Sequence, residues 1–176
     1  MPQSLSLTIV HVIFSTKERR PCLELDTRHK LHAYLAEVTR NADCECYRVG
    51  GAADHVHLAI RLSRTLAIAD LVETLKTSSS KWLKTQSSNL TTFTWQRGYG
   101  CFSVGPTDLD SLRAYIDKQE EHHRSRTFQE EYRMFLKKYG VEIRRILCLG
   151  LNAMVRAVGA HGRVGWPDMG RCPMLG

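Results

Sequence analysis

Residues 44–62 read CECYRVGGAADHVHLAIRL, two strand-like runs, CECYRVGG and HVHLAIRL, joined by a Gly-Gly-Ala-Ala-Asp turn. This is the pattern of a β-hairpin. Side chains alternate across a strand, so Val56, Leu58, Ile60 and Leu62 share one uniformly apolar face that must pack against helices. His55, His57, Ala59 and Arg61 share the other. The hairpin thus sends two histidines away from the core, onto a face of the sheet expected to be open.

Upstream, SLSLTIVHVIFS (4–15) alternates at first and then turns apolar on both faces, as a central strand does. TKERRP follows as a basic loop. Thr27 can cap a helix to about Asn41 whose stripe is Leu31, Tyr34, Leu35 and Val38. Downstream, Ser63 or Thr65 opens a second helix with Ile68, Leu71, Val72, Leu75, Trp82 and Leu83 on one stripe. Its three consecutive serines, 78–80, are poor helix formers and weaken the second half. FTWQRGYGCFSV (93–104) supplies a fourth strand. Thr107 and Asp110 make a capping-box-like start for a helix to about His123, and another helix runs from Thr127 to Gly140. The order predicts an α+β, ferredoxin-like (RRM-like) fold: β-α-β-β-α-β, one antiparallel sheet with two helices on one face, plus C-terminal helices.

A chain of 176 residues with 43% hydrophobic and 24% charged residues fits one globular domain, taken as residues 1–147. The tail, 148–176, differs: it holds six of the twelve glycines, no lysine and a single acidic residue, Asp168. No apolar run approaches the ~18 residues of a membrane span. The N-terminus alternates like a strand and lacks the charge and cleavage pattern of a signal peptide, so a cytoplasmic protein without a membrane partner is expected. The six cysteines contain no C-x-x-C pair and read as buried free thiols. A net charge of +7 favours a polyanionic partner.

Two imidazoles at i, i+2 on a rigid strand can reach one divalent ion, but the pair needs a third ligand. The stretch DLDSLRAYIDKQEEHHR (108–124) places Tyr115 and Gln119 four apart, on one helical face. Tyrosine, with an ordinary pKa of about 10, is a weak nucleophile. A metal beside it would help by polarising a phosphodiester and favouring the phenolate. From the helix alone, Tyr115 reads first as a core aromatic. His122 and His123 are rival ligands, but adjacent helical residues diverge by about 100° and cannot both aim at one site.

Taken together, HVIFSTKERRP, GGAADHVHLAI, LKTSSSKWLK, WQRGYGCFSV and LRAYIDKQEEHHR resemble the single-tyrosine HUH transposases of the short-insertion-sequence and REP-associated type. The resemblance runs from the N-terminus to about Gly140. Such enzymes cut single-stranded DNA beside a hairpin formed by palindromic repeats. Carried onto this sequence, the resemblance implies that His55, His57 and Gln119 bind Mg²⁺ or Mn²⁺ and that Tyr115, on the C-terminal helix, is catalytic. It implies a 5′-phosphotyrosine link and a free 3′-OH, with strands rejoined by the reverse step without ATP. It also implies a homodimer in which the tyrosine helix of one subunit completes the histidine site of the other. The tail departs from the family pattern, which ends in an acidic, aromatic terminus soon after the helix that stops here at Gly140.

Lys17, Arg19 and Arg20 in the first loop, and Lys76, Lys81 and Lys84 on the second helix, are candidate phosphate contacts. Each also suits a solvated charged face. Trp95, Arg97 and Tyr99 lead towards the tyrosine helix and could bind unpaired bases, or the aromatics could belong to the sheet. Tyr99 is a rival nucleophile without a ligand-type partner four residues on. Two other readings compete. A non-catalytic RRM-like RNA-binding module requires exposed aromatics on the central strands, where His11 and Phe14 are the candidates on the first. A metal-dependent nuclease using water would form no covalent intermediate.

Overall fold

The structure, a computed structural model, describes residues 5–119 together with Arg133, Met134, Leu136 and Lys137. Strands β1 (Ile9–Ser15), β2 (Glu45–Ala52), β3 (His55–Arg61) and β4 (Gly100–Val104) form an antiparallel sheet in the order β2-β3-β1-β4. Helix α1 (Leu25–Asn41) connects β1 to β2, α2 (Ile68–Gln86) connects β3 to β4, and α3 (Leu109–Asp117) follows β4. The hairpin forms as its alternation requires, with His55 opposite Ala52 and Arg61 opposite Glu45.

The sheet carries a core on each face. Val10, Val12 and Phe14 of β1 and Val56, Leu58 and Ile60 of β3 pack on Leu31 and Leu35 of α1 and Leu71, Leu75 and Leu83 of α2. On the other face Ile9, Ile13, Ala59, Phe102 and Val104 meet Leu112, Tyr115 and Ile116 of α3. Leu136 joins this second cluster. The histidine face is therefore not open: α3 lies across it, and His11, His55 and His57 are 0% exposed. An amphipathic helix following β4 has its own apolar stripe to bury, and the second face is where it does so.

Several boundaries shift from the sequence reading. Helix α1 starts at Leu25, ahead of Thr27, and α2 starts at Ile68, after Ser63 and Thr65 have spent their residues in the connecting loop. The serines of α2 lie within the helix with their hydroxyls hydrogen-bonded. Ser78 donates to Thr74 O (2.6 Å), Ser79 to Leu75 O (2.5 Å) and Ser80 to Phe93 O (3.3 Å). The fourth strand is shorter than predicted. Residues 93–99 run as a loop beside the end of β1, joined there by the Gln96 N–H to Ser15 O hydrogen bond and by a bridge between Thr16 and Trp95.

Helix α3 begins after a 3₁₀ turn, Pro106–Asp108, in place of a Thr107 capping box. It ends at Asp117, with Lys118 as its C-cap, so Gln119 stands just past the helix predicted to run to about His123. The rival ligands His122 and His123 and the tail 148–176 lie outside the described residues. Of the helix predicted over 127–140, Arg133, Met134, Leu136 and Lys137 are described and are helical. The four described cysteines are free, and burial pushes the Cys101 thiol up to about 11, as an inert structural thiol requires. Among the described residues, no helix is long and apolar enough to cross a membrane.

Candidate active site

The site lies where α3 crosses the second face of the sheet. His55 and His57 stand one residue apart on β3, His11 enters from the adjacent β1, and Tyr115 and Gln119 come down from the helix side. The His57 and Tyr115 rings meet edge to face with centroids 5.6 Å apart, and His11 meets Tyr115 at 6.1 Å. His55 and His57 are themselves 4.9 Å apart and nearly perpendicular. Tyr115 is 3% and Gln119 1% exposed. The four sequence-predicted residues of the site converge within the described chain.

His55 is held from both sides. Its Nδ1 lies 2.6 Å from Asp54 Oδ1, and its Nε2 lies 3.3 Å from Gln119 Oε1. Asp54 also pairs with the Arg19 guanidinium. Burial works to raise the Asp54 carboxyl, but the hydrogen bond and charge of His55, joined by Arg19, outweigh it and hold it at about 2. Asp54 is therefore ionised at neutral pH and can only accept, so the His55 Nδ1 carries a proton and donates it. The other ring nitrogen, Nε2, then faces the Gln119 amide.

On the other histidine, His57 Nδ1 lies 2.9 Å from His11 Nε2. Among the described residues no three His, Cys, Asp or Glu side chains form a metal-binding group. Gln119 brings an amide to His55. Ser15, opposite His55 in register and 2% exposed, also faces the site, and its hydroxyl has no hydrogen-bond partner among the described residues.

The basic residues divide into two groups. Lys17, Arg19 and Arg20 lie in the loop after β1, at the end of the sheet where His55 begins β3. Glu18 and Arg19 there both adopt left-handed backbone angles (φ 55° and 57°). This loop is stitched to the 94–97 segment: Lys17 N–H donates to Thr94 O (3.0 Å) and Gln96 N–H to Ser15 O (2.8 Å). Arg97 is exposed on that segment, beside exposed Tyr99. The second group, Lys76, Lys81 and Lys84, sits on α2, across the sheet from the histidines. Lys76 is spent on structure, its ammonium donating to Gln96 O (2.7 Å) and Gly98 O (2.9 Å). Arg20 pairs with Glu18, and Lys81 and Lys84 are exposed.

Trp95 is not a stacking platform. It is buried edge-on against Phe14 and Phe93, with its indole N–H donating to Ser79 Oγ at 3.0 Å. Phe14 points to the helix side of the sheet, so the aromatic pair needed by an RRM-like module is missing from β1. Two residues of the site escaped the sequence reading. Asp54 was visible as the immediate neighbour of His55. His11 was visible by parity, since it shares a face of β1 with Ile9, Ile13 and Ser15 and so borders the histidines of β3.

Comparison with known proteins bears on the family and the fold. The family described as transposase IS200 like matches residues 4–119. A crystal structure of a proposed transposase from Deinococcus radiodurans R1 is similar in fold, with 20% identity and a TM-score of 0.53. It covers 68% of this chain and 98% of its own. The structure of a REP-associated tyrosine transposase bound to a REP hairpin is similar at 14% identity and a TM-score of 0.52, covering 70% of this chain and 72% of its own. No curated protein matches. With its family match spanning both the histidine strand and the tyrosine helix, the chain belongs to the IS200-like transposases.

Proposed function

We propose that this transposase nicks and rejoins single-stranded DNA at hairpin-flanked sites, in the cytoplasm, through a covalent tyrosine intermediate with divalent-metal assistance. The observation that carries the reading is the convergence of Tyr115 and Gln119 on His55 and His57. In the first step the Tyr115 phenolic oxygen attacks the scissile phosphorus. The phosphorus–O3′ bond breaks, the 5′-phosphate stays on tyrosine, and the departing 3′-oxygen takes up a proton. A 3′-OH from another strand reverses the step, restoring the phosphodiester and the free phenol. The four-stranded sheet with its split βαβ order is the ferredoxin-like platform on which this chemistry rests.

His55, His57 and Gln119 would hold Mg²⁺ or Mn²⁺, for which a mixed imidazole and oxygen donor set is suitable, Mn²⁺ more so. When bound, the ion polarises the phosphate and stabilises the charge that develops on it. The protein would act as a homodimer with shared sites, the tyrosine helix of one subunit completing the histidine site of the other. DNA would reach the buried Tyr115 phenol only once α3 moves on the sheet. Lys17, Arg19, Arg20 and Arg97 suit the backbone of the strand that approaches His55, with Lys81 and Lys84 on a separate face for the hairpin stem.

The test is to incubate the protein with single-stranded hairpin DNA and Mg²⁺ or Mn²⁺ and look for a denaturation-resistant protein–DNA adduct. Wild type forms it and Tyr115→Phe does not. An adduct in Tyr115→Phe, or none in wild type across varied hairpins, sinks the mechanism. Cleavage retained by Tyr115→Phe without any adduct would favour the water-using nuclease.

A further inference from the structure

His11 has no role in the mechanism above, yet it is fully buried in the middle of β1. An imidazole in that position costs more than the valine or isoleucine its neighbours use, unless it is hydrogen-bonded. Its partner is His57, Nε2 to Nδ1 at 2.9 Å, and the two rings lie near parallel (23°) with centroids 5.1 Å apart. One proton is shared between two nitrogens, so the bond has two senses. If His11 donates, a neutral His57 must carry its own proton on Nε2. If His57 donates from Nδ1, its Nε2 presents a lone pair.

The neighbouring histidine indicates which sense belongs to the site. His55 has Nδ1 2.6 Å from the Asp54 carboxylate, an acceptor, and turns Nε2 to the site. His55 and His57 stand on the same face of one strand, and each has its Nδ1 occupied by a residue outside the ligand set. We infer that His11 is a positioning residue: it accepts the Nδ1 proton of His57 and thereby holds His57 in the tautomer whose Nε2 is a ligand. This deepens the proposed function and rests on its assignment of His57 as a ligand. The two histidines are then oriented by chemically different partners, a carboxylate for His55 and a neutral imidazole for His57. An imidazole orients its partner without adding a second negative charge beside the phosphate that the site has to receive.

The experiment reads the tautomer directly, on the full chain without metal or DNA. Long-range ¹H–¹⁵N correlation of ring-labelled histidine assigns the protonated nitrogen of His57 in wild type, His11→Phe and His11→Gln. The expected result is an Nδ1–H His57 in wild type, loss of that preference in His11→Phe, and its recovery in His11→Gln, whose amide oxygen can accept. An Nε2–H His57 in wild type overturns the inference even if neither variant folds. An unchanged Nδ1–H tautomer in folded His11→Phe also overturns it. Mn²⁺ binding followed by electron paramagnetic resonance separates this result from the underlying reading. Binding should weaken about 10- to 100-fold in His11→Phe and much less in His11→Gln. Absence of Mn²⁺ binding in wild type would remove the metal reading, while the tautomer spectrum still decides the role of His11.

Discussion

Gly50 of β2 and Ile116 of α3 meet with no room for a side chain between them. A β-carbon on Gly50 would stand 2.6 Å from Ile116 Cγ2 and 2.7 Å from the Ile116 carbonyl oxygen. The helix that carries Tyr115 is seated on bare backbone, and the Arg48–Asp117 ion pair fastens its C-terminal end to the same strand. Gly50→Ala therefore pushes α3 outward, at a cost of about 1–3 kcal/mol typical of overpacking. Hydrogen exchange should speed up across residues 109–117 and stay unchanged in α2. Uniform acceleration through both helices would show that α3 has no separate seat.

Ser79 and Trp95 should be energetically coupled. The Ser79 hydroxyl accepts the buried indole N–H while donating to Leu75 O in its own helix. Ser79→Ala strands the indole donor and is expected to cost about 1–3 kcal/mol in urea denaturation. In a Trp95→Phe background the same substitution should cost distinctly less, since no donor is left to strand. Equal costs in the two backgrounds would deny the coupling.

His32 makes stability depend on pH. Burial, followed by the charges of Arg28, His29 and Arg48, lowers it from 6.5 to about 4. Between those values the unfolded chain binds a proton that the folded chain refuses. This contribution is therefore intact above pH 6.5 and is lost as pH falls towards 4. The loss amounts to ~2 kcal/mol after allowing for the partial exposure of the ring. Comparing wild type with His32→Gln by denaturation at pH 7 and pH 4.5 checks this: the variant should lose less stability on acidification.

The two basic groups should separate in DNA-binding experiments. Lys17→Ala and Arg97→Ala each remove an exposed cation near the histidine end of the sheet. Each is expected to reduce the salt dependence of binding to an unpaired strand by about one counterion. Lys76→Ala should act differently, because Lys76 donates to two carbonyls of the 96–98 loop. Its effect belongs in the hydrogen exchange of that loop, and a salt slope reduced as much as in Lys17→Ala would reverse the assignment.

Sheet and helix order were legible in the sequence because alternation and helical periodicity are local. The face of His55 and His57 followed from parity alone; helical spacing put Tyr115 and Gln119 together, although α3 ends at Asp117, before Gln119. The cover over that face was not legible: whether a strand's polar side meets solvent or another helix depends on where α3 docks, which is a tertiary matter. Reading Trp95 as a possible base platform failed for a similar reason, since burial against Phe14 and Phe93 is set by a loop with no period. The serines of α2 looked weak by propensity, but two of them donate to carbonyls of their own helix and the third to Phe93 of the following loop. His11 was passed over because one histidine in an apolar strand gains meaning only beside its neighbour in the sheet.

The left-handed backbone at Glu18 and Arg19 has a consequence for engineering. Neither residue is glycine, and such conformations cost of order 1–3 kcal/mol each unless their surroundings impose them. Here the Arg19 pair with Asp54 does so, and Asp54 is also the acceptor that fixes His55. The loop between β1 and α1 is thus not an interchangeable module. A graft that replaced it would release Asp54, and with it the orientation of His55. On the proposed function, the loop that meets the DNA strand is also part of what holds a metal ligand in place.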